Sequence, residues 1–341
     1  MQGKIRFQSI QALRGIAVLA VLIFHSHWIV SWKSDDILHV PLLSDYGYLG
    51  VNFFFCISGF VICHVVIRDA NFSMKDFVVR RIAKIYPIYF LTNLTIIFIW
   101  FFTPIFDNEV SSLGFWGVMG SFLIFPMDQY PLLSPGWSLE HEVLFYLISG
   151  VFVTIASIRF LPVVLFLLFV AGMHLSGWDF HIFSRYQIYF ATGILSYYLT
   201  RYRPRYLLIS SAAAMSLAAL IGSNVIATNM YVYDALLALG FMALISACVS
   251  LESAGFHFPA LLVQVGEASY SLYIVHAVIF IFLSIVGYRL GVPVELWRWG
   301  GVAFTMLLSF VVYKRIEAPL HRAAFKVLMP AQSVVPSHVR P

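Results

Sequence analysis

Ten apolar stretches of 17 to 21 residues recur along this chain, and that recurrence constrains its fold more than any other feature. They cover residues 9–29, 47–67, 83–103, 138–158, 159–176, 184–200, 206–223, 232–250, 269–288 and 297–316. Each is about as long as the ~20 residues with which a helix crosses a bilayer. No water is present in the hydrocarbon layer to satisfy backbone groups, so only helices and closed barrels can span it, and uninterrupted runs lack the alternation of a barrel strand. The expected fold is all-α integral membrane, a bundle of about ten transmembrane helices. A further apolar run at 113–125 is too short to cross and is expected to be re-entrant or interfacial. One membrane domain covers residues 1–328, with a disordered tail expected over 329–341.

Charge supports this reading. Only 11% of the 341 residues are charged, against about 25% in a soluble domain. The formal charge of +5 does not call for nucleic acid, because the basic residues gather in short links between apolar runs. Lys4 and Arg6 precede the first run, Arg68, Lys75, Arg80, Arg81 and Lys84 flank the third, and Arg201, Arg203 and Arg205 follow the sixth. If the N-terminus is cytoplasmic and 113–125 does not cross, all of these fall inside, together with Lys314, Arg315, Arg322 and Lys326. The links holding Asp35, Asp36, Asp45, Asp107 and Glu109 then fall outside, and Arg289 and Arg298 are exceptions. The first run has no small-residue cleavage pattern after it and is expected to be retained as a helix. Cys56, Cys63 and Cys248 lie inside apolar runs without the spacing of a disulfide framework or a zinc site, so no metal is expected.

The first run carries groups that lipid penalises. Arg14 and His25 are eleven positions apart, and eleven steps of about 100° return to within roughly 20° of the same helix face. Their separation along the axis is roughly 16 Å, and His27 points to the opposite side. Arg14 alone could be an interfacial anchor and His25 alone a structural hydrogen-bonding residue. A shared face instead suggests one elongated polar cavity with the arginine at one depth and the histidine at another.

From here the sequence resembles acyltransferase family 3, the bacterial membrane O-acyltransferases. A basic residue, ten intervening positions and a histidine mark that family's first helix. The resemblance continues through GVNFFFCISGF (50–60), FVVRRIAKIYPIY (77–89), WSLEHEVLFYL (137–147), GEASYSLYIVHAV (266–278) and RIEAPL (315–320). Two positions depart from the pattern: Asn52 stands where the family usually has an acidic residue, and Lys84 where arginine is common.

The resemblance implies transfer of an acyl group, often acetyl, from cytoplasmic acyl-CoA to a hydroxyl of a surface polysaccharide or lipid-linked sugar. It also implies a bacterial inner membrane location with both termini cytoplasmic. Acyl-CoA is then a substrate rather than a bound cofactor, and lipid and glycan are the partners. The polyanionic donor needs cations at a cytoplasmic mouth, for which Arg14, Arg80, Arg81 and Lys84 are the candidates. A sugar hydroxyl needs a base to take its proton, and His25 suits that role. An acyl-imidazole on His25 is the covalent alternative. Glu142 is expected at the depth of His25, orienting the imidazole or holding the acceptor. Trp137 and Ser138 match the family motif of that helix; Tyr273 and His276, about a turn apart, read by themselves as a buried hydrogen-bonding pair, whereas the resemblance implies that they line the cavity. Glu140 and Glu317 read as structural. A small-molecule acceptor such as a macrolide, and a lipid-linked sugar transporter or flippase, are the alternative functions.

Overall fold

The computed structural model describes residues 7–68, 72–175, 177, 179–222 and 229–329. Lys4, Arg6, the side chains of Asp35 and Asp36, and all of the expected tail except Met329 lie outside the described residues. The described residues form helices and no strand. In chain order these are α1 (Gln8–His25), a 3-10 segment (Ser26–Asp36), α2 (Leu43–Tyr46), α3 (Leu49–Arg68), α4 (Met74–Phe102), α5 (Asp107–Leu123) and α6 (Gly136–Ile155). There follow α7 (Leu161–Ala171), α8 (Gln187–Leu199), α9 (Pro204–Gly222), α10 (Met230–Ser253), α11 (Ala260–Glu267), α12 (Ser269–Leu290), α13 (Val294–Val312), a π turn (Tyr313–Glu317) and α14 (Ala318–Leu328).

Among the described residues eight helical segments are long and apolar enough to cross a membrane. The two remaining expected spans are short: the helical stretch Ile158–Ala171 and the 13-residue α8. Composition alone does not separate a helix buried in protein from one that faces lipid. Nine residues of α8, among them Tyr189, Phe190 and Ser196, are buried, and the helix is enclosed by α3, α7 and α10. Its approach to α3 is backbone on backbone, since a Cβ on Gly193 would stand 2.0 Å from the Cys56 carbonyl and one on Gly59 2.3 Å from that of Phe190. Small residues at such contacts are how helices associate tightly in lipid, where apolar burial offers no drive.

Side-chain pairings fix the helix directions. α12 runs parallel to α1, with Arg14 beside Ser269 and Ser31 beside Ser284. α3 runs antiparallel to α1, with Gly50 against Ala17 and Phe60 against Phe7. α8 and α10 follow α3, as the Thr192 contact with Cys56 and the Ser250 bond to Thr200 show. One end of the bundle therefore collects Arg68, Lys75, Arg201, Arg203, Arg205 and Lys314, while Arg289, Arg298 and Asp107 lie toward the other.

Two local devices shape the interior. α5 turns back along α4: the Tyr86 hydroxyl donates to the Leu123 carbonyl at 2.5 Å and the Phe90 and Phe122 rings are 5.2 Å apart. Gly114, at φ +61°, breaks α5 in a conformation that favours glycine. The chain then leads to α6, whose first residue Gly136 abuts Tyr89, the middle of α4 rather than its end. The second device is α1 itself, which stops being α-helical at His25 and tightens into the 3-10 segment. Arg298, 1% exposed, supports that break, donating from Nε to the Ser26 hydroxyl at 2.8 Å and from a terminal nitrogen to the Leu38 carbonyl at 2.7 Å. These bonds explain an arginine at the end of the bundle opposite the main basic clusters.

Candidate active site

Two cavities meet inside the bundle. The first, about 140 Å³, opens among α1, α3, α4, α6 and α12 and is walled by Arg14, Arg81, Lys84, Ser58, Glu142 and Tyr146 together with Ser138, Ser269 and Tyr270. The second, about 260 Å³, is walled by His25, Asn52, Arg185, Asp234 and a set of aromatic rings that includes Trp28, Trp137, Tyr186 and Tyr233. Val51 and Tyr273 are common to both walls. Concave sites with a few convergent polar groups are where small substrates bind.

In the basic chamber, Arg14 donates from Nε to the Ser269 hydroxyl at 3.1 Å and lies within electrostatic reach of Glu142, Glu317 and Arg81. Close backbone packing of α1 on α11 sets this up, because a Cβ on Gly15 would meet the Leu262 carbonyl at 2.5 Å. Arg81 lies over the Tyr146 ring at 4.7 Å and the Phe77 ring at 5.4 Å, and its buried Nε has no hydrogen-bond partner. A buried donor left in this state costs roughly 1–3 kcal/mol until a ligand meets it. Lys84 pairs with Glu317, which the π turn brings inward and which also accepts from Ser271 at 2.5 Å. π turns inside helices commonly mark functional positions.

Four side chains depart from their expected places or pairing. Glu142 is not beside His25; it accepts from Ser58 at 2.8 Å and from Tyr146 in the basic chamber. The cause is the mid-bundle start of α6, which shifts every residue of that helix toward the basic end. Arg80 lies over the Phe325 ring of α14 at 5.4 Å and lines neither cavity. Arg80 and Arg81 point about 100° apart on α4, whereas Arg81 and Lys84 lie three positions apart on one face. The side chains of Tyr273 and His276 do not pair with each other. Tyr273 bonds Ser138, while the His276 Nδ1 bonds the Tyr273 backbone carbonyl at 2.7 Å.

That last bond fixes proton positions around His25. A carbonyl can only accept, so His276 Nδ1 carries the hydrogen, and the Nε2 of the neutral ring is an acceptor. His25 Nδ1, 3.3 Å from it, is then the donor. The remaining nitrogen of neutral His25, Nε2, holds a lone pair, the state a general base requires. Trp28 packs against the same ring, 4.2 Å between centroids.

Sequence reasoning missed Arg185 and Asp234. They stand 3.4 Å apart on the aromatic chamber wall, and Tyr189 donates to the other Asp234 oxygen at 2.7 Å. Asn52 lies in the same wall, within bonding range of Tyr189. Asn52 departs from the family's usual acidic residue, so no carboxylate role carries over to it, and Asp234 places a carboxylate in the same wall. Glu140 lines neither chamber; it accepts from the Met127 amide at 3.2 Å and contacts His181 at 2.9 Å, tying two loops together. Among the described residues no group of three His, Cys, Asp or Glu side chains could hold a metal ion.

A family model for an acyltransferase domain matches residues 7–314. Relatives include the exopolysaccharide production protein ExoZ of Rhizobium meliloti, 27% identical over 296 residues that cover 81% of this chain and 90% of ExoZ. The O-acetyltransferase OatA of Staphylococcus aureus is 24% identical over 360 residues, covering 93% of this chain and 57% of that protein. The peptidoglycan O-acetyltransferase OatA of Listeria monocytogenes is 28% identical over 162 residues, 43% of this chain and 24% of that protein. No solved structure matches the chain. With nearly every residue of the helical bundle inside the family match, the chain belongs to acyltransferase family 3 and is a multi-pass membrane O-acyltransferase.

Proposed function

We propose that the protein moves an acyl group, acetyl in the simplest case, from acyl-CoA held in the basic chamber to a sugar hydroxyl held in the aromatic chamber, with His25 as general base. The observation that carries this reading is the division of labour between two abutting cavities. One presents Arg14, Arg81 and Lys84, and the other presents His25. Phosphates of coenzyme A would meet the cations, including the unpartnered Arg81 Nε, as charge-assisted hydrogen bonds. Glu317 pairs with Lys84, and Glu142 and Glu317 lie within electrostatic reach of Arg14, which offsets its charge until the donor arrives.

The reaction needs no covalent enzyme intermediate. The acceptor oxygen attacks the thioester carbon, its proton passes to His25 Nε2, and the carbonyl electron pair moves onto oxygen. Collapse breaks the carbon–sulfur bond, and the thiolate recovers the proton from His25. The products are the ester and free coenzyme A. His276 serves as a positioning residue that fixes the His25 tautomer.

The aromatic rings, with Asn52, Arg185 and Asp234 among them, suit a hydroxyl-rich ring that stacks on one face and hydrogen-bonds at its rim. ExoZ and the Listeria OatA are named for exopolysaccharide production and for peptidoglycan, which favours a glycan acceptor here. With the basic end facing the bacterial cytoplasm, both termini would be cytoplasmic, and the acyl group would cross the inner membrane as it is transferred.

The test uses purified protein in proteoliposomes with basic-end-out and basic-end-in populations resolved by protease. Binding of acetyl-CoA only to basic-end-out protein, reduced for coenzyme A lacking its 3′-phosphate, would support the reading. No saturable acetyl-CoA binding would refute it.

A further inference from the structure

We propose that the Tyr273 hydroxyl is the hydrogen-bond donor to the oxyanion of the tetrahedral intermediate, which makes Tyr273 a catalytic residue. This rests on the donor and acceptor reading above. If the donor is anchored in one chamber and the acceptor hydroxyl must reach His25 in the other, the thioester carbon reacts where the chambers meet. Among the described residues only Val51 and Tyr273 line both, and of these two only the Tyr273 side chain has a proton to donate.

Three of the neighbouring hydroxyls are committed elsewhere. Ser58 and Tyr146 donate to Glu142, and Tyr270 donates to the Ile85 carbonyl at 2.7 Å. Tyr273 is held differently. Its oxygen is 2.8 Å from the Ser138 hydroxyl and 3.1 Å from the Pro135 carbonyl, and Ser138 is itself 3.1 Å from that carbonyl. Hydroxyl donors prefer about 2.7–2.8 Å, so the Pro135 contact is a loose one. It can be exchanged for a developing negative charge while Ser138 keeps the phenol oriented.

The placement follows from one face of α12. Ser269, Tyr273 and His276 follow at spacings of four and three residues, which brings them onto one side of the helix. Ser269 meets Arg14, His276 meets His25, and Tyr273 stands between them at the junction. In the transition state the thioester oxygen gains the carbonyl electron pair, and the Tyr273 O–H turns from Pro135 to that oxygen without being transferred. When the carbon–sulfur bond breaks, the pair returns to the new ester carbonyl and the hydroxyl relaxes to Pro135.

The test does not depend on knowing the acceptor. S-(3,3,3-trifluoro-2-oxopropyl)-CoA adds water or hydroxide at its activated ketone and so presents a tetrahedral oxygen, whereas the non-fluorinated S-(2-oxopropyl)-CoA stays a plain ketone. Both affinities are measured by calorimetry on detergent-solubilised full-length protein. The wild type should prefer the fluorinated compound, and Tyr273→Phe should lose about 10- to 100-fold of that preference while binding the non-fluorinated compound as the wild type does. Ser138→Ala should lose a smaller part. An unchanged preference in Tyr273→Phe, or no preference in the wild type, would overturn the assignment while leaving the donor site standing. Failure of the wild type to bind either analogue or acetyl-CoA would overturn the donor reading, and the Tyr273 role with it.

Discussion

Replacing His276 by leucine removes the side-chain acceptor that faces His25 Nδ1, leaving the Val21 backbone carbonyl as its remaining partner. Before reaction the His25 Nδ1 to His276 Nε2 bond is neutral and, at 3.3 Å, longer than the usual range, so it contributes about 0.5–1 kcal/mol. Once His25 has taken the acceptor proton it is an imidazolium, and the same bond becomes charge-assisted, worth roughly 1.5–3 kcal/mol. Only the difference between the two states accelerates the chemistry. That difference, about 1–2 kcal/mol, corresponds to a fall in kcat of roughly 5- to 30-fold. His276→Gln, which can present a carbonyl oxygen to the same hydrogen, should recover part of the loss. The assay is acetyl transfer from radiolabelled acetyl-CoA into the glycan fraction of membrane vesicles from the producing cells, with acetyl-CoA affinity followed separately as a check on folding. A His276→Leu protein with wild-type kcat would refute the positioning role of His276. A loss confined to donor affinity would show that His276 acts on the wrong chamber.

Other substitutions probe other parts of the account. Arg81→Ala should weaken acetyl-CoA binding about 10- to 100-fold, because it deletes a charged donor already desolvated in the chamber. Arg80→Ala should change it less than about twofold, since that side chain lines neither cavity, and equilibrium binding compares the two directly. Gly193→Ala should lower thermal stability in detergent by about 1–3 kcal/mol, as a Cβ 2.0 Å from the Cys56 carbonyl must separate α3 from α8; an unshifted melting curve would contradict that packing. Single cysteines in a background lacking Cys56, Cys63 and Cys248 test the orientation. A cysteine at Asp107 should react with an impermeant thiol reagent outside intact cells, and one at Arg203 should not.

What the sequence disclosed, and what it withheld, follows from range. The face shared by Arg14 and His25 is a local property of helix periodicity, but the two residues line two abutting chambers rather than the one elongated cavity their spacing suggests. The short 113–125 run was visible from length alone, and α5 does turn back along α4. Its consequence was not visible. A segment that returns partway lets α6 begin beside Tyr89, and that offset carries Glu142 away from His25. The Arg185 and Asp234 pair is 49 positions apart on different elements, and nothing local joins them. Arg80 and Arg81 are the reverse case, because the phase of α4 relative to Lys84 separates them and the sequence alone contained that information.

The central claim is that donor binding and proton removal are housed in different chambers, so one substitution should separate them. The measurement pairs acetyl-CoA affinity with acetyl transfer for His25→Ala against the wild type, in the same vesicle preparation. The account predicts that His25→Ala binds acetyl-CoA with wild-type affinity and transfers no measurable label to glycan. Sustained transfer by His25→Ala, or loss of acetyl-CoA binding in a folded His25→Ala protein, would contradict it.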